Sequence, residues 1–226
     1  MSAAARPFVL LSVAASIDGY IDDSSDDRLL LSNDEDFDRV DEVRAGVDAI
    51  LVGASTIRAD NPRLMVRSEA RKAARAAAGK SPSLIKVTVT GSGDLDPEAK
   101  FFTAGEEQKL VYTSASAHAD LSEKLGEAAT VVDAGDPIDL ERLLADLAAR
   151  GVERLMVEGG GSMHTQFLQA GVVDELHLVI APFLIGDPAA PRFVNPGDFP
   201  QGPRSPFKLA ESRAIGDVVL LRYRTG

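Results

Sequence analysis

The stretch Asp48–Leu64, DAILVGASTIRADNPRL, runs from a short apolar segment directly into a polar one. The letters AILV predict a buried strand, and Gly53 allows the chain to turn straight after it. Ser55 and Thr56 follow at the predicted start of a helix, which Asn61-Pro62 ends. Two roles fit the hydroxyls equally well, helix capping and hydrogen bonding to a ligand. A strand that passes directly into a helix indicates an α/β protein.

Apolar, β-branched runs of the same kind recur along the chain, and helical patterns separate them. The predicted strands are Phe8–Ala15, Ala49–Val52, Ile85–Thr90, Leu110–Thr113, Thr130–Val132, Arg154–Val157 and Glu175–Phe183. The clearest predicted helices are Asn33–Ala45, with Asn33 or Ser32 as cap, Ile138–Arg150 and Met163–Ala170. This alternation predicts an α/β fold with a mixed, mostly parallel central sheet and flanking helices.

The C-terminal part of the chain has a different pattern. Prolines punctuate residues 182–206, which we expect to form an ordered surface loop. Phe207–Arg213 and Val218–Arg224 then flank Ile215-Gly216-Asp217, which predicts a terminal antiparallel hairpin. With no internal repeat, we expect residues 1–226 to form a single domain.

Composition narrows the possible functions. The formal net charge is -11 and the sequence pI is about 4.7, so we expect no binding to nucleic acid or to a membrane surface. The chain has no cysteine, which excludes disulfides, thiolate nucleophiles and cysteine-ligated metals, and we expect no metal ion. The apolar N-terminal run predicts a buried strand rather than a signal peptide. A cytoplasmic protein fits these features best.

A second strand-to-helix junction contains the glycine triplet of Glu158-Gly159-Gly160-Gly161. Glycines at the start of a helix expose backbone N–H groups and let a phosphate approach closely. The same glycines are explained equally well by a tight turn with positive φ. The triplet does not match G-x-G-x-x-G and lies late in the chain, which disfavours a Rossmann dehydrogenase. Two such junctions at the carboxyl edge of a sheet favour a ligand site there.

In order along the chain, five motifs resemble the riboflavin-pathway pyrimidine reductases. They are Ser16-Ile17-Asp18-Gly19, the whole of Asp48–Leu64, Val157-Glu158-Gly159-Gly160, Val173-Asp174-Glu175-Leu176 and Ala181-Pro182. The resemblance implies a dihydrofolate-reductase-like fold, usually a homodimer, that binds NADPH. The implied reaction is hydride transfer to the ribosylamino group of a pyrimidine 5′-phosphate, which gives the ribitylamino form.

The resemblance also implies roles for individual residues. The implied cofactor contacts are Ala14, Leu30, Gly53, Thr56, Asp60, Gly159, Gly160, Gly161, Ser162, Met163, His164, Thr165 and Gln166. The implied substrate contacts are Arg28, Arg44, Leu64, Arg67 and Glu158. Arginines suit a sugar phosphate, although ordinary surface ion pairs also explain them. For Glu158 we expect orientation toward ribose hydroxyls, with a capping role as the alternative.

The chain departs from the bifunctional bacterial members of this family at two positions. Ser12 stands where they usually carry lysine, and Leu30 stands where an aromatic residue is common. Both changes are more typical of stand-alone reductases, and they leave the choice between the 2-amino and the deaminated pyrimidine open. No H-x-E with P-C-x-x-C is present, so zinc-dependent deamination is excluded. No general acid can be assigned.

Two other functions stay open. A dihydrofolate or other pteridine reductase has the same fold, and Asp36, Asp38 and Asp41 lie in a helix suited to hold a pteridine. A non-catalytic protein that binds NADPH or a flavin precursor is the other possibility. Arg44 and Arg67 favour a phosphorylated substrate over both alternatives.

Overall fold

The computed structural model describes residues 6–25 and 29–226. Their contacts group into two compact units. Unit 1 comprises the described residues of 1–8 and 41–156, and unit 2 comprises those of 9–40 and 157–226. The expectation of a single domain over residues 1–226 stays a prediction. Arg28, an implied substrate contact, lies outside the described residues.

Unit 1 is a parallel α/β unit. Its strands are β2 (Ala49–Gly53), β3 (Ile85–Thr90), β4 (Lys109–Thr113) and β5 (Thr130–Asp133). They lie in the order β5-β4-β3-β2, and every neighbouring pair is parallel. The strand β6 is Arg154–Gly159, of which residues 154–156 belong to unit 1 and residues 157–159 to unit 2. The helices α2 to α6 are Ala54–Asp60, Glu69–Ala77, Lys100–Thr103, His118–Leu125 and Leu140–Ala149, with a 3-10 turn at Gly126–Ala128. The carboxyl ends of β2, β3 and β4 therefore share one edge.

Unit 2 contains the mixed part of the fold. Its strands are β1 (Phe8–Ser16), β7 (Glu175–Ala181), β8 (Lys208–Ile215) and β9 (Val218–Arg224). β1 and β7 are parallel, whereas β7, β9 and β8 are antiparallel neighbours. Two helices contribute, α1 (Asp34–Ala45) in its first part and α7 (Gly161–Gln169). The two-residue turn between β8 and β9 confirms the predicted hairpin.

The predicted α/β class, with mostly parallel strands and a C-terminal antiparallel hairpin, is confirmed. Each predicted strand is present with shifts of a few residues at its ends, because apolar β-branched runs mark buried strands strongly. The Asn33 cap is also confirmed, since its Oδ1 accepts the backbone N–H of Asp36 at 3.0 Å.

The clearest difference is α3, a helix that the hydrophobic pattern did not indicate. Its sequence EARKAARAA contains no large apolar side chain, and its buried residue is Arg75. Arg75 donates to the carbonyl oxygens of Ala45, Val47 and Ser81, so polar bonds dock this helix. A search for an apolar stripe misses a helix that is anchored in this way.

Candidate functional site

The β6–α7 junction is formed by the glycine triplet. Gly159 ends β6, and Gly160 is the N-cap of α7 with φ 82° and ψ 131°. This φ lies in the region that glycine adopts without strain. Among the described residues no side chain caps the helix at this position, so its first N–H groups are not used by a capping side chain. Such a helix start suits an anionic ligand.

Gly161 meets a second requirement, which is close packing. A Cβ atom at this position would clash with the backbone carbonyl oxygen of Arg192. The next residues of that segment also pack on α7, because the ring of Phe193 lies 5.5 Å from that of His164 and the Asn195 N–H donates to Thr165 Oγ1 at 2.9 Å. The turn therefore favours glycine at position 160, and the close contact with residues 192–195 requires glycine at position 161.

The side chains of α7 divide into two sets. Met163, His164 and Thr165 are buried, whereas Ser162 and Gln166 are exposed. Thr165 donates to the carbonyl oxygen of Gly161 at 2.6 Å, which stabilises the first turn. Of the side chains in this segment, those of Ser162 and Gln166 are the ones accessible to a ligand.

His164 is a buried neutral base. Its side chain is 1% exposed, and neither ring nitrogen has a hydrogen-bond partner in the described part of the chain. Burial lowers the pKa of the imidazole to about 4, against a small opposing effect of the Phe193 and Val157 backbone. His164 is therefore uncharged at neutral pH.

The β2–α2 junction of unit 1 also passes directly from a strand into a helix, although Gly53 has an ordinary extended conformation with φ -71°. Gly53 is the N-cap of α2, and within the described residues no side chain caps this helix either. Ser55 is exposed and Thr56 is half-buried, so the capping explanation for these hydroxyls is wrong. The helix ends as predicted at Asn61, which has φ 44° and accepts the Lys100 N–H at 2.7 Å. Asp60, the last helical residue, is exposed.

An arginine cluster in unit 1 joins the last part of α1 to the residues that follow α2. We use this name for Asp41, Arg44, Arg67 and Arg71. Arg44 donates to the carbonyl oxygen of Met65 at 3.3 Å, and the Arg67 side chain is 60% exposed. The Asp41 carboxylate accepts the Arg67 N–H at 2.5 Å and the Ser68 N–H at 3.1 Å, and it pairs with Arg71 at 2.9 Å.

The other predicted contacts lie in varied surroundings. Leu64 is buried with φ 51°, and Glu158 is half-buried in β6. In unit 2, Leu30 is 61% exposed, whereas Ala14 packs against the apolar cluster of Val179, Ile215, Val218 and Leu220. Leu30 thus has an accessible side chain, whereas those of Ala14 and Leu64 pack within the protein.

A cavity of about 340 Å³ lies at the carboxyl ends of β3 and β4. Its lining includes the hydroxyls of Ser92 and Ser116, the ammonium group of Lys124 and the carboxylate of Asp120. The hydroxyl of the neighbouring Ser114 donates to the carbonyl oxygen of Gly91 at 2.8 Å. Lys124 is the cation that this cavity offers to an anionic group.

The carboxylates that would favour a pteridine are engaged elsewhere. Asp36 is 1% exposed and pairs with Arg39 at 2.6 Å, and it also accepts the Ser32 hydroxyl at 2.7 Å. Asp41 is 2% exposed and belongs to the arginine cluster. Asp38 is exposed on α1 and makes contacts of its own. The two buried carboxylates, those of Asp36 and Asp41, are therefore committed to the contacts named above.

Sequence reasoning did not find Arg71 or Lys124, and it identified Asp41 only as a possible pteridine contact. Asp41 and Arg44 lie three residues apart on α1, a spacing that places them on one face of a helix. Their partners Met65, Arg67 and Ser68 lie in a segment without regular structure, and Arg71 lies in α3, which has no apolar stripe, so periodicity identifies none of them.

Together these features define an α/β protein with two glycine-capped strand-to-helix junctions and a cationic cluster. The chain belongs to the RibD C-terminal domain family, whose model matches residues 7–221. The resemblance to riboflavin-pathway pyrimidine reductases is thereby confirmed. Membership of this reductase family supports a nicotinamide cofactor.

Two relatives carry the same name, 2,5-diamino-6-ribosylamino-4(3H)-pyrimidinone 5′-phosphate reductase. The protein of Archaeoglobus fulgidus is 37% identical over 187 residues, which are 82% of this chain and 85% of the relative. That of Methanothermobacter thermautotrophicus is 33% identical over 96% of this chain and 98% of its own length. The crystal structure of a pyrimidine reductase-like protein from Corynebacterium diphtheriae matches with a TM-score of 0.83 at 25% identity, over 97% of this chain and 92% of that one.

Proposed function

We propose that this protein catalyses the NADPH-dependent reduction of a ribosylamino pyrimidine 5′-phosphate to its ribitylamino form in riboflavin biosynthesis. The observation that carries the proposal is the family match over residues 7–221, because it includes both junctions and the arginine cluster. The relatives' shared name makes the 2,5-diamino pyrimidinone phosphate the first substrate to test. Its deaminated counterpart is the second.

NADPH would supply the hydride, so the chain has to bind and orient the two reactants. The proposed cofactor contacts are Ala14, Leu30, Gly53, Thr56, Asp60 and Gly159–Gln166. The start of α7 fits a pyrophosphate, because Gly160 carries no side chain and the first N–H groups are not capped by one. Lys124 and Ser92 in the β3–β4 cavity suit the 2′-phosphate that distinguishes NADPH from NADH.

The proposed substrate contacts are Arg28, Arg44, Leu64, Arg67 and Glu158. In a chain of net charge -11, a phosphorylated substrate needs local cations, and the arginine cluster supplies them. Arg67 is the leading phosphate ligand because its guanidinium group is largely exposed. Glu158 is proposed to accept hydrogen bonds from ribose hydroxyls, and Glu158→Gln should then weaken substrate binding.

We propose a homodimer in the cytoplasm that binds neither nucleic acid nor membranes. The net charge of -11 supports the first exclusion. No helix within residues 6–25 and 29–226 is long and apolar enough to cross a membrane.

Nicotinamide absorbance tests the reaction directly. Purified protein is mixed with NADPH or NADH and with each of three substrates: the 2,5-diamino pyrimidinone phosphate, its deaminated counterpart and dihydrofolate. We expect oxidation of NADPH with a pyrimidine phosphate and none with dihydrofolate. Oxidation with dihydrofolate alone would establish the pteridine alternative. NADPH binding without turnover of any substrate would support a non-catalytic binding protein.

A matched pair of glycine variants tests the cofactor site. Gly160 and Gly151 have nearly the same φ, 82° and 85°, so alanine adds similar backbone strain at both positions, on the order of 1 kcal/mol. We expect Gly160→Ala to weaken NADPH binding at least about tenfold by titration calorimetry, because its Cβ enters the proposed pyrophosphate turn. Gly151→Ala should bind NADPH like the wild type. Equal affinity in both variants would remove Gly160 from the proposed site.

A further inference from the structure

The two sides of the β8–β9 hairpin differ in charge. Paired residues of neighbouring strands point to the same side of a sheet, so the register of β8 and β9 sorts their side chains. Every charged residue of these two strands lies on one side. The other side, which we call the hairpin face, consists of three cross-strand pairs: Leu209 with Tyr223, Ser212 with Leu221 and Ala214 with Val219.

The hairpin face is mainly apolar and yet exposed. Leu209 is 57% exposed and Val219 is 41% exposed, and the other four positions are exposed or half-buried. The same side continues onto Leu178 and Ile180 of β7, which are half-buried. On the opposite side, the apolar side chains of the hairpin are at most 6% exposed. An exposed apolar surface that extends over neighbouring strands marks an interaction site.

A second copy of this chain is the partner whose chemistry matches the hairpin face. The net charge is -11, so two copies repel each other and associate most favourably through a surface without charge. In a two-fold symmetric contact, residues near the axis meet their own copies. Apolar side chains tolerate this, and so do the hydroxyl groups of Ser212 and Tyr223, because a hydroxyl both donates and accepts hydrogen bonds.

Charges at the two ends of the hairpin favour one orientation of the second copy. Lys208 begins β8, Asp217 lies in the turn that follows it, and both are exposed. A two-fold axis perpendicular to the strands brings Lys208 of one copy toward Asp217 of the other, whereas an axis parallel to the strands brings like charges together. The perpendicular axis passes at the middle pair, so Ser212 lies near its own copy.

The edge of β8 is the other surface that a second copy could use, because β8 is the last strand in the sheet order. A β-bulge between Leu209 and Glu211 interrupts this strand. Lys208, Glu211 and Arg213 add charge along it. Bulges and charged side chains hinder edge-to-edge pairing, so the face suits a second copy better than the edge does.

We propose that the hairpin face is the homodimer interface, where two copies pack sheet on sheet around a two-fold axis perpendicular to the strands. The inference rests on the homodimer of the proposed function and gives it a surface. It does not depend on the reaction, so assembly and activity are tested separately.

Sedimentation velocity of the full chain tests the face. Leu209→Lys and Val219→Lys change exposed side chains, so the folded protomer should tolerate them. We expect the dissociation constant of the dimer to rise at least about hundredfold, because each lysine is buried against an apolar surface of the other copy. The control is Leu184→Lys, at an apolar side chain that is 67% exposed and lies outside the hairpin face. It should dimerise like the wild type. A monomeric wild type would overturn the proposal, as would a dimer that persists in both hairpin variants.

Chemical cross-linking gives a second test that introduces no buried charge. The chain has no cysteine, so Ser212→Cys and Arg213→Cys each carry a single thiol. Arg213 is the next residue of β8, and its 54% exposed side chain lies on the opposite side. A short bis-maleimide can join two thiols between packed sheets, which lie about 10 Å apart. We expect a covalent dimer with Ser212→Cys and little with Arg213→Cys. Equal cross-linking of the two variants would refute the interface.

Charge reversal tests the orientation. Lys208→Glu places two carboxylates together at both ends of the dimer, so its dissociation constant should rise about threefold. Adding Asp217→Lys reverses the pair and should restore the affinity of the wild type. An unchanged affinity in Lys208→Glu would overturn the perpendicular axis, as would a double variant that does not recover.

Nicotinamide absorbance separates failure of this inference from failure of the proposed reaction. If the wild type dimerises but reduces neither pyrimidine, the reaction fails, and the hairpin face is still judged from sedimentation and cross-linking. If NADPH is oxidised by a protein whose dimer persists in Leu209→Lys and Val219→Lys, the reaction stands and this inference fails.

Discussion

The arginine cluster of unit 1 and a glutamate cluster of unit 2 combine the same types of residue, but their carboxylates are paired in different ways. The glutamate cluster consists of Glu175, His177, Glu211, Arg222 and Arg224. Its Glu175 carboxylate is 3% exposed and lies 2.6 Å from Arg222, 2.7 Å from His177 and 3.3 Å from Arg224. Arg222 reaches on to Glu211 at 2.7 Å. In this cluster the guanidinium group of Arg222 is shared between two carboxylates.

The arginine cluster differs because its carboxylate is occupied largely by backbone N–H groups. Asp41 binds two of them and one close guanidinium, which leaves the Arg67 side chain 60% exposed. Arg222, by comparison, is 29% exposed. An anion at Arg222 would have to compete with two carboxylates, and Arg222 is also the less exposed of the two arginines.

Among the substitutions, neutralising Glu175 should have the largest effect on stability. Glu175→Gln leaves Arg222 and Arg224 beside a buried amide, and we expect a loss of about 3 kcal/mol in the free energy of unfolding. Urea denaturation at neutral pH measures this loss. Glu211→Gln is the control, because it removes the other carboxylate at Arg222 from a side chain that is 32% exposed. Glu211→Gln should lower the free energy of unfolding by about 1 kcal/mol. Equal losses in the two variants would show that burial of the carboxylate does not determine its contribution to stability.

The pH dependence of stability also distinguishes the two units. Two of the three histidines are buried in unit 2, whereas His118 of unit 1 is partly exposed. Burial lowers the pKa of His164 to about 4. Burial also lowers the pKa of His177. The charges of Arg222 and Arg39 act in the same direction, whereas the hydrogen bond with Glu175 opposes the shift. The unfolded chain takes up a proton near pH 6.5 and the folded His164 does not, so stability falls as the pH drops from about 6.5 to about 4.

Over this pH interval His164 should lower the free energy of unfolding by about 3 kcal/mol. Below the pKa of the folded state the contribution of His164 no longer changes with pH. Urea denaturation at a series of pH values measures the slope. His164→Leu should flatten the slope, whereas His118→Gln should keep the slope of the wild type. An unaltered slope in His164→Leu would show that this imidazole is already protonated in the folded protein at higher pH.

Removing Arg67 should affect binding and leave stability nearly unchanged, the reverse of the result at Glu175. A charged hydrogen bond to phosphate contributes about 2 kcal/mol, so Arg67→Ala should raise the KM of the pyrimidine phosphate about thirtyfold. Its free energy of unfolding should stay within about 0.5 kcal/mol of wild type. Arg142→Ala, at a side chain that is 56% exposed, is the matched control for both measurements. A large stability loss in Arg67→Ala would mean that its charge serves the fold.

The sequence predicted the strands better than the helices, for a physical reason. Buried strands such as β2 and β3 must be apolar and β-branched, and that composition is visible in a single chain. The helix α3 is docked by Arg75 through three backbone carbonyls, so its pattern shows no apolar face. The start of α7 at Gly161 was also missed, because glycine disfavours helices and close packing against Arg192 was not predictable.

The candidate site was predictable where local sequence determines local geometry. Gly53 and Gly160 were both identified from their place after a strand, but only Gly160 has a positive φ that favours glycine, whereas Gly53 has φ -71°. The two charge clusters were not, because they depend on pairs far apart in sequence. Asp41 and Arg67 are 26 positions apart, and Glu175 and Arg222 are 47 apart. No periodicity relates such residues, so the two clusters become visible only in the folded chain.

The smallest expected effect is that of an exposed ion pair on α3. Lys72 pairs with Glu69 at 2.7 Å on α3, one residue from Arg71, and the Glu69 side chain is 85% exposed. In water such a pair gains little, because solvent screens the attraction and ordering two long side chains costs entropy. A double-mutant cycle with Lys72→Ala and Glu69→Ala should give a coupling free energy below about 0.5 kcal/mol in thermal unfolding. A coupling as large as the loss in Glu175→Gln would refute the view that burial, rather than the presence of an ion pair, determines the energetic weight of these clusters.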